Sequence, residues 1–256
     1  MLATYPYQGR TFSFDPAAPI DISLPLAPGD QQVNCFWAEP VQFETIRVGN
    51  FVGSVAEGGS TNYKRVHLTP HGNGTHTECY GHISAEPSAT LDRCLRRFLF
   101  VAKLISVAPR RQDNGDEVVM LADVQVAFQN LGSHVELTPE ALILRTLPND
   151  ETKQTRHYSG TNPTYIEPSL AQYLAEHHVQ HLLLDLPSVD REEDGGALLA
   201  HHAFWQYPHA TRHEATITEL IFVPDVVQDG LYLLNLQVTS SVLDASPSKP
   251  VLYRLI

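Results

Sequence analysis

The sequence predicts a mixed α/β fold. Eighteen prolines and fifteen glycines spread through 256 residues imply many short elements joined by tight turns. Six apolar, β-branched runs have the length of strands, and a few segments between them carry helical apolar spacing. Hydrophobic residues make up 43% of the chain, enough to bury a sizeable core, and no repeat, low-complexity tract or Pro/Ser linker divides it. One domain over residues 1–256 is the expectation.

The first half reads as strand-rich and irregular. Strands are expected at Phe98 to Val107, Val118 to Met120, Ala141 to Arg145, Val179 to Leu184, Thr216 to Val223 and Leu231 to Val238, several of them in one core sheet. A helix over Pro168 to His178 follows from Leu170, Tyr173 and Leu174 on one face and from Glu167-Pro168 near its positive start. Thr138-Pro139 offers an N-cap and a first-turn proline for a second helix near Thr138, and a third covers about Gly196 to Trp205. Helix alternating with strand in the middle of the chain fits a mixed sheet better than a regular doubly wound one.

Charge and composition exclude several function classes. Twenty-nine acidic against seventeen basic residues give a formal charge of −12, which repels a phosphate backbone, so nucleic acid is not an expected partner. No apolar run reaches the roughly eighteen residues of a membrane span. Met1 to Arg10 lacks the basic start and apolar middle of a secretory signal, so the expected location is cytoplasmic. Cys35, Cys79 and Cys94 show no CxxC spacing and read as reduced thiols. There is no glycine-rich nucleotide motif and no GxSxG elbow, and Arg93, Arg96 and Arg97 read as a solvated helix face.

The chemistry concentrates between Pro70 and His82, in a chain holding thirteen histidines. If Thr75 to Glu78 is extended, the two-residue side-chain period puts His76 and Glu78 on one face, where an imidazole and a carboxylate can converge on one divalent cation. His82 shares that parity if extension continues. His71 has the wrong parity and joins only if the Gly72-Asn73-Gly74 loop reverses its direction; otherwise it is a surface histidine. Cys79, of opposite parity to Glu78, reads as a buried structural thiol. Trp37, Phe36 and Tyr80 read as core aromatics before pocket walls.

A second cluster is His201-His202 followed by Glu219. The glutamate interrupts an apolar alternating strand, and a buried carboxylate needs a cation, a histidine or a raised pKa beside it. The two histidines point about 100° apart on a helix, so at most one faces a given site. His209, His213 and Glu214 read as surface residues, and His177, His178 and His181 as a helix end and turn.

The run Gly72-Asn73-Gly74-Thr75-His76-Thr77-Glu78-Cys79-Tyr80-Gly81-His82 resembles the HxGTHxDxPxH signature of the metal-dependent cyclase family, which includes bacterial kynurenine formamidases and isatin hydrolases. Asp21-Ile22-Ser23, Leu184-Asp185-Leu186-Pro187-Ser188-Val189-Asp190, Ala200-His201, Ile217-Thr218-Glu219-Leu220 and Asp244-Ala245-Ser246-Pro247 resemble further family segments in the same order. The resemblance implies a swivelling β/β/α fold of the cyclase/formamidase type. It implies one or two zinc or manganese ions on His76, Glu78, His201 and Glu219, proton transfer by His82, and homodimers or larger oligomers. The family's first motif histidine falls on Gly72 and its aspartate on Glu78, with His71 as the available substitute imidazole.

The expected activity is hydrolysis of a small amide, formamide, cyclic amide or lactone by a metal-activated water, with His82 or Glu219 moving the proton. The alternatives are acid/base ring closure or dehydration without metal, and a silent small-molecule binder.

Overall fold

The computed structural model describes residues 1–131 and 138–256. Its centre is a ring of seven strands, β1 (His76–Cys79), β2 (Leu99–Val107), β3 (Ala141–Thr146), β4 (His181–Leu184), β5 (Thr216–Glu219), β6 (Gly230–Val238) and β7 (Ala245–Arg254). Their spatial order is β6-β2-β3-β4-β5-β1-β7, and pairing of β7 with β6 closes it. Strands β2 to β5 run parallel, while β1, β6 and β7 pair antiparallel with their neighbours. This is the expected mixed α/β architecture, with a barrel-like sheet at its heart.

The parallel strands read as near-continuous apolar runs because both of their faces are covered. Every residue of β3 is buried, as is every residue of β4. Three helices, α1 (Leu121–Asn130), α2 (Pro168–Glu176) and α3 (Leu199–Trp205), contribute Val124, Leu170, Leu174, Phe204 and Trp205 to one hydrophobic cluster with the strands. Helix α1 was not anticipated, although Leu121, Val124 and Phe128 carry the helical spacing.

Four expectations are corrected. No helix starts at Thr138: the Glu140 carboxylate accepts the Val101 N–H at 3.3 Å, and the chain passes at once into β3 between β2 and β4. The strand expected at Val118 to Met120 forms as Glu117–Val119, in a separate small sheet with Arg110–Arg111 and Tyr165–Ile166. The strand expected to reach Val223 ends at Glu219, because Leu220 adopts φ 55° and turns its N–H to the Leu186 carbonyl at 3.0 Å. His181 is no turn residue: it opens β4, buried against the Phe100 ring at 3.9 Å, with Nδ1 2.8 Å from Thr216 Oγ1. Burial pushes its pKa down to about 3.

Between Glu39 and Thr69 the chain leaves the ring as a β arm. Gln42–Thr45 pairs antiparallel with Lys64–His67, and Arg47–Val48 with Phe51–Val52. Both roots of the arm are tied to Asn73, whose Oδ1 accepts the Thr69 N–H at 2.6 Å and whose Nδ2 donates to the Glu39 carbonyl at 2.9 Å. Among the described residues, no helix is long and apolar enough to cross a membrane.

Candidate metal centre

Strand pairing assembles the first two groups. Antiparallel register sets Glu219, the last residue of β5, opposite His76, the first of β1, so Nε2 of His76 lies 3.2 Å from Oε2 of Glu219. Two residues along, Glu78 projects from the same face of β1, as the period of a strand requires. This end of the ring is the carboxyl end of the parallel strands, where open α/β sheets place their ligand crevices.

Two turns bring in the flanking histidines. A 3-10 turn at Pro70–Gly72 reverses direction and aims His71 inward, with Nε2 3.5 Å from Glu78 Oε2 and 3.0 Å from Asp244 Oδ2. Gly72 cannot take its place: a Cβ there would lie 2.3 Å from that of Ala38 and 2.9 Å from the Cys35 carbonyl oxygen. His82 also arrives by a turn, since β1 stops at Cys79 and Tyr80–Ile83 is 3-10 helix. The parity argument for His82 therefore does not hold, yet its Nδ1 lies 3.6 Å from Glu78 Oε2 and 3.4 Å from Asp244 Oδ2.

Helix α3 supplies one of its two adjacent histidines. His201 is buried with Nε2 3.2 Å from Glu78 Oε1, whereas His202 turns its Nδ1 to the Tyr207 carbonyl at 3.1 Å. Asp190 fixes the helix start by accepting the N–H groups of Ala200 at 2.8 Å and His201 at 3.1 Å, and it meets His201 Nδ1 at 2.7 Å.

These contacts decide which atoms face inward. His76 donates Nδ1–H to the Gly74 carbonyl at 2.9 Å, and His201 donates Nδ1–H to Asp190, so in the neutral imidazoles both Nε2 lone pairs point at the ring centre. Glu219 Oε1 is held by the Val189 N–H at 3.1 Å, leaving Oε2 free to face His76. Nε2 of His71, Nε2 of His76 and Oε1 of Glu78 are buried and make no hydrogen bond of proper geometry. Unsatisfied buried donors and acceptors of this kind are costly unless something else answers them. Two triads of mutually close ligand atoms result, His76–Glu78–Glu219 and His71–Glu78–His82, with Glu78 common to both. The donor set therefore fits a divalent cation.

Charge points the same way. Burial opposes ionisation of Glu78, but the imidazoles of His82, His201 and His71 outweigh it and bring its pKa down to about 2. Burial likewise disfavours charge on His201, yet Asp190, Glu78 and Glu219 raise it to about 10. His76 moves up against burial through Glu219 and Glu78, and His82 moves up chiefly through Glu78. Such a field favours positive charge at the ring centre.

Every residue singled out in the two clusters reaches this ring except His202, and two carboxylates join that were passed over as candidates. Asp244 and Asp190 stood in the quoted segments, but their side-chain contacts depend on how distant segments meet. The aromatics divide: Tyr80 is buried in the core, whereas Phe36 and Trp37 are exposed, both with left-handed φ, in the segment packed on Gly72. Cys79 is buried as expected, and His209 and His213 are exposed.

A histidine and carboxylate cluster at the mouth of a closed mixed sheet is thus the defining feature of the molecule. The chain belongs to the family described as "Putative cyclase", whose model matches residues 20–191. Among solved structures it is similar to a potential metal-dependent hydrolase with cyclase activity, at TM-score 0.61 and 17% identity over 93% of this chain and 98% of that one. It is also similar to isatin hydrolase A from Ralstonia solanacearum, at TM-score 0.68 and 12% identity over 92% of this chain and 91% of the other. A predicted metal-dependent hydrolase from Bacillus stearothermophilus matches at TM-score 0.59 and 16% identity, over 92% and 98%. At these identities the likeness is one of fold.

Proposed function

We propose that the protein is a metal-dependent hydrolase of a small amide, formamide, cyclic amide or lactone. The observation that carries this reading is the pair of ligand triads sharing Glu78, with inward Nε2 atoms whose tautomers are fixed from behind. His76, Glu78, His201 and Glu219, with His71 at the outer side, would hold zinc or manganese, both of which accept mixed imidazole and carboxylate donors. The chemistry a divalent cation supplies there is Lewis acidity toward a carbonyl oxygen and a water.

The chain's own residues do the rest. His82 stands on the open side, 29% exposed, and takes the proton of the attacking water. The water oxygen adds to the carbonyl carbon, the C–N or C–O bond breaks, and His82 returns the proton to the leaving nitrogen or oxygen. Glu219 is the alternative acceptor from the closed side. Asp244 keeps the His82 and His71 rings in place; contact with these two imidazoles holds its own carboxyl well below the usual range. The solved relatives named as hydrolases, the isatin hydrolase among them, support this reaction class.

The test is metal analysis of the protein purified without chelator, beside His76→Ala and Glu78→Ala, followed by a screen of aryl formamides and cyclic amides. Zinc or manganese near one or two per chain, lost in both variants, is expected. Turnover that persists with no metal after reloading would move the assignment to acid/base cyclisation or dehydration by Glu78, His82 and Glu219. Absence of both metal and turnover would leave a binding protein.

A further inference from the structure

Two of the three thiols meet in the core. Cys79 ends β1 and Cys94 ends the short helix Leu91–Cys94, and their side chains share a thiol–thiol hydrogen bond. The backbone fixes both elements against one segment: the Leu243 carbonyl accepts the Leu91 N–H at 2.7 Å, and the Asp244 carbonyl accepts the Cys79 N–H at 3.0 Å. Sγ of Cys79 lies 3.7 Å from the Ala89 carbonyl oxygen, and a Cβ on Gly81 would stand 1.9 Å from that same oxygen. The two ends of the intervening loop are therefore in direct contact. A disulfide needs facing side chains with sulfurs about 2 Å apart, and thiols already in hydrogen-bond contact lie close to that arrangement.

Access to the pair is one-sided. Cys79 is fully buried among core side chains, whereas Cys94 lines a cavity of about 270 Å³ with Arg96, Arg97 and His181. That space is ample for a molecule the size of water or hydrogen peroxide. Contact with Cys79 holds the Cys94 thiol below the usual thiol range, against the opposing effects of its burial and of Asp92 and Glu214. A thiol of lowered pKa that solvent can reach is the reactive kind, and a buried thiol in apolar surroundings is inert. Cys35 is the contrast: it sits in a separate cluster with Sγ 3.2 Å from the His71 carbonyl oxygen, and burial pushes its thiol up.

We propose that Cys94 and Cys79 form a redox-modification site, which hydrogen peroxide converts into a disulfide with Cys94 as the attacking thiol. The Cys94 thiolate attacks one peroxide oxygen, an S–O bond forms, the O–O bond breaks, and the departing hydroxide takes up the Cys94 proton as water. Cys79 sulfur then attacks the Cys94 sulfenic acid: the S–S bond forms, the S–O bond breaks, and hydroxide leaves with the Cys79 proton as a second water. Two thiols and one peroxide thus give one disulfide and two waters, with two electrons passing from sulfur to oxygen. The link closes the loop from Tyr80 to Arg93, which carries His82. It ties the redox state of the core to the residue assigned above to proton transfer.

The test reads thiols alone, so its result is separate from that of the metal and turnover assays. The full chain, as purified, is treated with a small excess of hydrogen peroxide, alkylated in denaturant and analysed by intact mass and peptide mapping. The expected product has lost two hydrogens, keeps one alkylatable thiol at Cys35, and yields a linked pair of peptides carrying Cys79 and Cys94 that dithiothreitol separates. Cys94→Ser is expected to keep Cys79 and Cys35 as thiols under the same treatment, and Cys79→Ser to accumulate a dimedone-reactive sulfenic acid at Cys94. If either variant fails to fold, the wild-type peptide map decides alone. Three thiols left free after treatment, a link that involves Cys35, or a Cys94 that passes to the sulfinic acid beside a free Cys79 overturns the proposal.

Discussion

Replacing Asp190 by asparagine tests the proposed metal centre from behind, without touching a ligand. Asp190 meets His201 Nδ1 at 2.7 Å and accepts the N–H groups of Ala200 and His201, and both Asp190 and His201 are buried. A hydrogen bond involving a charged group contributes about 1.5–3 kcal/mol. The introduced amide oxygen still accepts from one or two of the same donors, so the expected stability loss is about 1 kcal/mol, or roughly 2–4 °C in Tm. The larger effect is on the imidazole. An amide NH₂ turned to Nδ1 requires Nδ1 to accept, which puts the ring proton on Nε2 and removes the lone pair facing Glu78. Groups that orient a ligand from behind typically control affinity 10–100-fold. Competition for zinc against a chromogenic chelator, run beside a thermal melt, measures both quantities. Zinc affinity within twofold of wild type would refute the claim that Asp190 sets the His201 tautomer.

Two further outcomes are expected. Gly72→Ala should cost about 1–3 kcal/mol, since the added methyl must displace Ala38 or the Cys35 carbonyl, 2.3 and 2.9 Å from the Cβ position; an unchanged melting temperature would contradict that packing. His181 stays neutral in the folded chain until about pH 3, whereas an unfolded histidine takes a proton near pH 6.5. Its contribution to stability is therefore complete above about pH 6.5 and falls by about 1.4 kcal/mol per unit as the pH drops toward 3. His181→Gln should remove that slope from the wild-type urea midpoints between pH 7 and 5, and equal slopes would show that the ring is not buried neutral.

Much of the ring was legible because strands have a short period. His76 and Glu78 fall on one face of β1 by parity alone, and a glutamate among the apolar residues of β5 announces its need for a partner. Helical geometry allowed one of His201 and His202 to face the site but could not choose, since the choice rests on where Asp190 anchors the start of α3. His71 and His82 come in on 3-10 turns, whose direction no alternation encodes. Asp244 stood in a quoted segment but could not be placed in the ring, for a different reason: it immediately precedes β7, and it reaches His71 and His82 only because Ala245 pairs with Glu78 across most of the chain. The helix expected at Thr138 failed because local cap chemistry lost to the burial of the next six residues on both faces.

Strand β7 has a consequence of its own. Its first residues pair with β1 and its later ones with β6, so the strand that closes the barrel also completes the ring of site groups. A nascent chain halted before Asp244 already carries every histidine and glutamate of the centre, yet it leaves β1 with one edge unpaired and the rim one carboxylate short. Closure of the barrel and completion of the rim are thereby one event: the pairing of Ala245 with Glu78 that gives β1 its second neighbour also brings Asp244 to His71 and His82.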